Sequence, residues 1–410
     1  MTILSSDVII LGGGCGGLWL LYELAQRGIS ATLVADGGLG GYAATRNQSW
    51  LHSGAVFALI NPYNTAMVSS CQESSSLLRS FCEANGCSSA LSGPGALFLF
   101  RNQQKAVLGV ERANNLSLTS PGHSGLICRE QIESIEPGLA LAEGFNWGLH
   151  TIDLTFDSHS LLTAIAARAI QKGGNIIDSQ IPLVNMSVTR VRGIWTITTD
   201  SKTLRSPILI CATGALIPQM ARKLSPNLQM PFNVTRCVVC VIHKRICDRI
   251  ISFQDRVANL LTLVPFGSYT IAGMPLKDTS SSIALNEPYN TELAVAQFQE
   301  TFSLFLPSMT LGVNIHTYTC YTLNNPQGSS HDVRKYGLWY YFWLEANRKQ
   351  LYYYYPGRFT LSPLAARTFA DRLFSGTDSH SFSKTVRPAF DSDQLIVARQ
   401  PYNLPAMHRL

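Results

Sequence analysis

The chain has few charged residues. Of its 410 residues only 14% are Asp, Glu, Lys or Arg, against about 25% in an average globular protein. The net charge of +6 comes without a long basic run, which argues against nucleic acid as a partner. A large buried core, an oligomer interface or a peripheral membrane contact would each give such a composition. A homo-oligomer and a contact with a membrane surface therefore both stay open.

Long apolar runs and targeting signals are also missing. No stretch reaches the roughly 18 uninterrupted apolar residues of a transmembrane helix, and no basic segment precedes the first apolar run as in a signal peptide. The ten cysteines lack disulfide-framework or zinc-site spacing. Cys237 and Cys240 lie on a predicted strand, where residues three apart point to opposite faces. We therefore predict a cytoplasmic protein with free thiols and no metal site.

The most informative stretch lies near the N-terminus. Val8 to Leu11 form a continuous apolar run, which predicts a strand buried in a parallel sheet. Three glycines follow it with the spacing G-x-G-x-x-G: Gly12, Gly14 and Gly17. A helical pattern from Leu18 to Arg27 and a second apolar strand from Ser30 to Ala35 complete a β-α-β unit. Such a unit binds the pyrophosphate of a dinucleotide at the N-terminus of its helix.

One position departs from the usual dinucleotide pattern. The acid that binds the ribose hydroxyls normally ends the second strand, but here Ala35 occupies that position and Asp36 follows it. A one-residue offset reverses the side-chain direction in a strand. Because the strand ends at this point, we still predict that Asp36 reaches the ribose.

Three further segments extend the pattern. The first is Thr45-Arg-Asn-Gln-Ser-Trp-Leu-His-Ser-Gly54, the second is the buried strand Pro207-Ile-Leu-Ile-Cys-Ala-Thr-Gly-Ala215, and the third is Pro356-Gly-Arg-Phe-Thr-Leu-Ser-Pro363. Together with the opening unit, they resemble the flavin-contacting segments of the D-amino acid oxidase superfamily. This superfamily includes glycine and sarcosine oxidases, 2-hydroxyglutarate dehydrogenases and glycerol-3-phosphate dehydrogenases. The resemblance covers nearly the whole chain to Phe374.

The resemblance implies that FAD is the cofactor. It assigns to the flavin nucleotide the residues Gly12, Gly14, Cys15, Gly16, Gly17, Asp36, Thr45, Arg46, Asn47, Ser49, Val184, Ala212, Thr213, Gly214, Gly357, Arg358, Phe359 and Thr360. The segment from Thr45 is expected to start a helix that carries short donors towards the flavin, with Arg46 neutralising phosphate. Val184 is expected to contact adenine through its backbone. The helix that follows Pro363 is expected to direct its N-terminus at the flavin ring, where the helix dipole favours negative charge.

The predicted fold class is α/β, with a discontinuous Rossmann-like FAD-binding domain and an α+β substrate domain built on an antiparallel sheet. The FAD-binding domain is predicted to comprise residues 1–88, 149–222 and 338–378. The substrate domain is predicted to comprise residues 89–148 and 223–337, and a C-terminal tail spans 379–410.

The resemblance further implies an enzyme that takes hydride from a carbon bearing nitrogen or oxygen. Oxidation of an amine in a small amino-acid-like or N-substituted substrate is the leading interpretation. A dehydrogenase of 2-hydroxy acids or glycerol phosphate is the alternative among enzymes, and a non-catalytic flavin-binding subunit is the alternative of another class.

Three residues are candidates for catalysis. Arg358 is predicted to bind a substrate carboxylate or phosphate, or else to pair within the protein. His52 aligns with the histidine that some sarcosine- and dimethylglycine-type relatives attach to flavin; a hydrogen-bonding or core histidine is the other interpretation. Tyr355 ends a run of four tyrosines, of which at most two can face one pocket.

Overall fold

The computed structural model describes residues 2–60, 65–120, 125–228, 233–254, 261–280, 291–308, 315–324 and 350–374. The predicted C-terminal tail, 379–410, lies outside these ranges.

Nine α-helices, twenty strands and two short 3-10 helices, Ser88–Ala90 and Gly214–Leu216, lie within the described residues. The helices are α1 Cys15–Gln26, α2 Ala55–Ile60, α3 Thr65–Ala84, α4 Gln103–Asn115, α5 Arg129–Ile135, α6 Ser158–Gln171, α7 Ile217–Leu224, α8 Thr291–Phe305 and α9 Ser362–Phe374. The first ten strands are β1 Thr2–Ser5, β2 Val8–Leu11, β3 Ala31–Asp36, β4 Trp50–Leu51, β5 Leu91–Ser92, β6 Ala96–Phe100, β7 Ile127–Cys128, β8 Trp147–Thr151, β9 Leu154–Phe156 and β10 Asn175–Ser179. The others are β11 Ser187–Val191, β12 Ile194–Thr198, β13 Lys202–Ser206, β14 Ile208–Cys211, β15 Asn233–Ile242, β16 Ile250–Phe253, β17 Thr262–Phe266, β18 Tyr269–Ser280, β19 Ile315–Asn324 and β20 Leu351–Tyr353.

A five-stranded sheet in the order β10-β3-β2-β14-β20 forms the first layer. All four strand pairs in it are parallel. The central strand β2 is wholly buried, as its continuous apolar run predicted. Helix α1 packs on this sheet between α6 and α9, and each fully buried leucine in it contributes about 1.5–3 kcal/mol of stabilisation.

Helix α1 begins earlier than its apolar periodicity predicted. It starts at Cys15 rather than Leu18, and Gly14 is its N-cap residue with extended backbone. The glycine pair in its first turn carries no apolar side chain, so periodicity alone did not reveal that turn. Gly28 follows the end of the helix with φ of +76°, a conformation that favours glycine.

An eight-stranded sheet in the order β19-β15-β18-β17-β16-β6-β8-β7 forms the second layer. Its pairs are antiparallel except for β16 with β6, which run parallel. One face packs on α8 in a cluster that includes Phe298 and Phe302. The other face carries Val239, Val264 and Ile271 into a cluster with Trp50. The sequence-based domain boundaries stay a prediction, but the two large sheets match the predicted pairing of a Rossmann-like sheet with a sheet-based substrate region.

Two smaller sheets complete the architecture. One has the order β1-β13-β12-β11 and includes the antiparallel ribbon of β11 and β12. The other has the order β4-β9-β5, in which Trp50 pairs with Thr155 and Leu51 with Leu154. Within the described residues, none of the helices combines the length and the apolar character needed to cross a bilayer.

Candidate active site

Three segments distant in sequence begin side by side at one edge of the five-stranded sheet. In the parallel register Leu11 pairs with Cys211, and Cys211 pairs with Tyr353. The residues that follow these strand ends are the glycine-rich turn, the Ala212–Gly214 turn and the segment from Tyr354. The carboxyl ends of parallel strands are where α/β sheets bind ligands. The sheet therefore gathers three of the predicted flavin segments in one place.

The glycine-rich turn has the geometry that its spacing predicted. Gly12 has φ of +115°, and a Cβ there would lie 2.5 Å from the carbonyl oxygen of Ala212. A Cβ at Gly17 would run into the carbonyl oxygen of Gly12, so this glycine lets the helix pack closely on the strand. At Gly14 a Cβ would meet no protein atom within 4 Å. Packing within the protein therefore does not explain why this position is a glycine.

Gly16 brings the last flavin segment against the helix. A Cβ at this position would lie 2.9 Å from ring atoms of Pro356, so glycine allows the contact. Gly357 follows with φ of +78°, which turns the chain across the N-terminus of α1. The ring of Phe359 packs on Phe156 with centroids 4.4 Å apart, at the border of the core cluster.

The acid at the end of the second strand lies one residue later than usual, at Asp36 instead of position 35, and the structure shows why position 35 is an alanine. A Cβ at Gly13 would lie 2.6 Å from the Cβ of Ala35, so Ala35 faces the glycine turn and leaves no room for an acid. Asp36 ends β3, and one carboxylate oxygen accepts the backbone N–H of Leu183 at 3.1 Å. Burial raises the pKa of Asp36. Its role at the ribose stays a prediction.

The segment from Thr45 folds differently from the expectation. It forms turns and then β4, and helix α2 begins only after Gly54. The Thr45 hydroxyl donates to the carbonyl of Gly40 at 2.6 Å, and the Asn47 amide donates to the carbonyl of Ala44 at 2.7 Å. The two side chains that were expected to donate to the flavin thus donate to backbone carbonyls of their own loop. The segment contacts the second layer through Tyr318, whose hydroxyl donates to the carbonyl of Asn47 at 2.7 Å.

The same loop orders two further predicted residues. The Ser49 backbone N–H donates to the Asn47 side-chain oxygen at 2.7 Å, and Ser49 is buried with φ of +55°. Arg46 is half-buried, and no carboxylate pairs with it among the described residues.

His52 lies where this segment meets the last one. Its backbone N–H donates to the hydroxyl of Thr360 at 3.2 Å. Its ring packs on Trp50 with centroids 4.5 Å apart and on Phe57 at 5.6 Å. Burial and, secondarily, the charge of Arg358 lower the pKa of His52 to about 3. The imidazole is therefore neutral near pH 7, and its Nδ1 is buried without a hydrogen-bond partner among the described residues.

Arg358 is exposed on the same side. Its guanidinium carbon lies 4.9 Å from the centre of the Phe57 ring, the ring that also contacts His52. In the part of the chain that the structure describes, no carboxylate pairs with it. The alternative that Arg358 forms an internal ion pair thus has no support among these residues.

Three remaining predicted residues differ in whether the protein uses their polar atoms. Tyr355 accepts the backbone N–H of Leu323 on β19 at 3.2 Å, and burial raises the pKa of its phenol. The hydroxyl of Thr213 is buried without a partner among the described residues, beside Gly214 with φ of +55°. The carbonyl of Val184 accepts the Nζ of Lys223 at 2.7 Å. Tyr355 and Val184 thus form hydrogen bonds within the protein, whereas the Thr213 hydroxyl forms none with the described residues.

One buried acid was not found from the sequence. Asp153 is 1% exposed, and its carboxylate accepts hydrogen bonds from Trp50, Ser53 and Thr151. It follows β8 as an isolated acid with no motif around it, so no sequence signal marked it. Across the described residues, no three His, Cys, Asp or Glu side chains lie close enough to hold a metal ion.

These features fit a bound FAD. The space in front of Gly14 at a helix N-terminus suits an anionic pyrophosphate. The unpartnered hydroxyl of Thr213 and the unpartnered Nδ1 of His52 are buried polar atoms that a ligand would satisfy.

Comparison with known proteins agrees with this reading of the geometry. The sequence profile of the FAD dependent oxidoreductase family matches residues 7–372. The chain belongs to this family. FAD is therefore its cofactor, and the predictions of superfamily, fold class and enzymatic nature are confirmed. The alternative of a non-catalytic flavin-binding subunit has no support.

One curated relative is named for its substrate. A subunit A1 of anaerobic glycerol-3-phosphate dehydrogenase from Haloferax volcanii is 23% identical over 286 residues, which are 66% of this chain and 46% of that protein. The chain spans less than half the length of the curated relatives it matches.

Two crystal structures show the same fold. Glycine oxidase from Geobacillus kaustophilus has a TM-score of 0.68 at 16% identity, covering 94% of this chain and 100% of that one. Glycerol-3-phosphate dehydrogenase from Bacillus halodurans, solved with FAD, has a TM-score of 0.64 at 12% identity, covering 96% of this chain and 68% of that one.

Proposed function

We propose that this oxidoreductase removes hydride from a carbon that bears an amine in a small, anionic, amino-acid-like substrate. The observation that carries the proposal is Arg358. It is exposed, has no carboxylate partner among the described residues, and packs on Phe57 beside His52. A guanidinium carries a permanent charge and two parallel donors, which suit a carboxylate or a phosphate.

The state of His52 favours an amine over an alcohol. Hydride loss from an alcohol also requires that the hydroxyl proton be removed, which needs a competent base. With a pKa lowered to about 3, His52 is too weak a base to take that proton, but the unprotonated nitrogen of its neutral ring can accept a hydrogen bond. An amine that arrives unprotonated needs only such an acceptor, which orients its lone pair and N–H groups. Bound FAD supplies the hydride acceptor, while these side chains orient the substrate.

A second candidate is oxidation of a hydroxyl-bearing anion such as a 2-hydroxy acid or a glycerol phosphate. The sequence match to a glycerol-3-phosphate dehydrogenase subunit supports it. Arg358 would bind the anion in the same way. The weak basicity of His52 is the reason for ranking this candidate second.

Replacement of Arg358 by alanine tests the anionic substrate. Its loss should raise KM about 10- to 100-fold, corresponding to the 1.5–3 kcal/mol of a charge-assisted hydrogen bond. Flavin content should change little, because the glycine turn and the Ala212–Gly214 turn remain. Arg101→Ala is the matched control, since Arg101 also lies over a phenylalanine, 4.5 Å from the ring centre of Phe145, on the second layer.

The measurement is steady-state kinetics on the flavin-loaded fraction of both variants and the wild type. An unchanged KM in Arg358→Ala would contradict the proposal. A loss of flavin together with a normal KM in the loaded fraction would give Arg358 a role in cofactor binding instead.

A further inference from the structure

The carboxylate of Asp153 accepts four hydrogen bonds but has no role in the proposed reaction described above. It is 1% exposed. One oxygen accepts the indole N–H of Trp50 at 2.8 Å and the backbone N–H of Ser53 at 2.9 Å. The other accepts the hydroxyls of Ser53 at 2.8 Å and Thr151 at 2.6 Å. Four donors thus satisfy this buried charge.

Two of the three residues that Asp153 binds flank His52 in the chain. Trp50 presents its ring to the imidazole with centroids 4.5 Å apart and planes at 40°. Ser53 follows directly, and both its backbone and its hydroxyl are held. The position of His52 is therefore fixed from both sides by one carboxylate.

The backbone of His52 is held as well. Its N–H donates to Thr360, and its carbonyl accepts the hydroxyl of Ser75 at 3.0 Å. Its ring contacts both Trp50 and Phe57. The buried ring Nδ1 has no partner among the described residues. The surroundings thus hold the residue in place and leave this buried nitrogen for a ligand.

We propose that Asp153 is a positioning residue, which holds the imidazole of His52 in the orientation used to bind substrate. This inference rests on the proposed function, in which His52 accepts a hydrogen bond from the substrate. Asp153 acts through Trp50 and Ser53 and does not touch the substrate itself. A shift of the imidazole by about 1 Å is enough to lower turnover substantially.

A second buried acid provides the matched control. Glu136 is 3% exposed and accepts the backbone N–H of Asp248 at 2.8 Å and Arg249 Nη1 at 3.3 Å. It lies after α5 beside the second layer, away from the flavin segments. Its loss should lower stability without any effect on His52.

The two oxygens of Asp153 suggest a conservative replacement. The partners of one oxygen are N–H groups, which can only donate, whereas the partners of the other are hydroxyls, which can also accept. In Asp153→Asn the amide oxygen can keep both N–H donors while the amide nitrogen donates to the hydroxyls. Asp153→Ala removes the carboxylate acceptor from all four donors, and among the described residues only the Thr151 hydroxyl keeps a second one, the carbonyl of Ala96 at 3.5 Å.

The experiment compares Asp153→Ala, Asp153→Asn and Glu136→Ala as FAD-loaded protein. Asp153→Ala should lower kcat at least about 30-fold, and Asp153→Asn should restore at least a third of the wild-type kcat. Glu136→Ala should keep kcat within about threefold while lowering the melting temperature. Hydrogen exchange of the peptide spanning 49–54 gives a readout besides activity: it should speed up in Asp153→Ala only.

The His52→Ala background separates this inference from the proposed function. The double variant His52→Ala/Asp153→Ala should have a kcat less than about threefold below that of His52→Ala alone, because the residue that Asp153 positions is already missing. An Asp153→Ala effect of equal size in both backgrounds, or normal turnover in Asp153→Ala, would overturn the positioning role. If His52→Ala itself turns over like the wild type, the proposed role of His52 fails, and the positioning role fails with it. A loss in His52→Ala without one in Asp153→Ala overturns the positioning role alone.

Discussion

Replacement of Gly14 by valine separates cofactor binding from folding. Gly14 has φ of −77° and extended ψ, which any residue adopts, and a Cβ there would meet no protein atom within 4 Å. The protein alone should therefore accept the new side chain. Valine is a poor N-cap residue, so the expected loss of unfolding free energy is about 0.5–1 kcal/mol.

The loss in FAD affinity should be much larger. A branched side chain at Gly14 would occupy the space in front of the helix N-terminus where the pyrophosphate is expected. Losing two charge-assisted hydrogen bonds, each about 1.5–3 kcal/mol, weakens binding more than about 100-fold. Gly17→Ala should behave in the opposite way, since its Cβ runs into the backbone of Gly12 and disrupts the packing of α1 itself.

Two assays on apoprotein distinguish these effects. FAD titration should show the loss of affinity in Gly14→Val, while thermal unfolding without FAD should shift by less than about 3 °C. Gly138→Val is the control, because Gly138 is exposed and its Cβ would find its nearest atom 4.0 Å away. Wild-type FAD affinity in Gly14→Val would refute the placement of the pyrophosphate. Unfolding of its apoprotein would refute the claim that the protein alone accepts a side chain at this position.

Two further predictions concern ionisation. Because burial lowers the pKa of His52 to about 3 from about 6.5 in the unfolded chain, the unfolded state binds more protons between these pH values, and stability falls as pH falls through that window. After allowance for partial solvent exposure, His52→Gln should remove about 1 kcal/mol of the loss between pH 7 and 5; an identical pH dependence of urea unfolding in the variant would contradict this. Burial also raises the pKa of several thiols to about 12, so iodoacetamide at pH 8 should spare them in the native protein while it modifies half-buried cysteines; peptide mapping that finds early modification of the first group would contradict their burial. The spared thiols are Cys15, Cys71, Cys82 and Cys240, and the half-buried ones are Cys87, Cys128, Cys237 and Cys320.

The sequence predicted the cofactor region where local rules decide the structure. The apolar run of β2 and the glycine spacing require only neighbouring residues, and both appear as predicted. The run that forms β14 likewise ends at the Ala212–Gly214 turn, because strand burial and glycine conformation are local properties.

The surroundings of His52 depend on distant contacts, which could not be predicted from the sequence. The segment after Thr45 was expected to be helical, but Trp50 pairs with Thr155 and donates to Asp153, about 100 residues away. These contacts convert the segment into β4. Likewise, the sequence showed Arg358 next to Gly357 but not that its guanidinium would lie on Phe57 from another segment.

Anaerobic titration of the purified protein with substrates tests the central claim most directly. The protein should be yellow with one FAD per chain. The compounds to be titrated are amino acids, N-methyl amino acids, 2-hydroxy acids and glycerol phosphates, and we expect those that carry an amine to bleach the visible flavin band. Bleaching by amino or N-methyl amino acids at a rate that rises with pH as the substrate amine loses its proton is the predicted result. Bleaching only by hydroxy acids or glycerol phosphate would contradict the proposed substrate class. Colourless protein that takes up NAD but no FAD would contradict the assignment of the site.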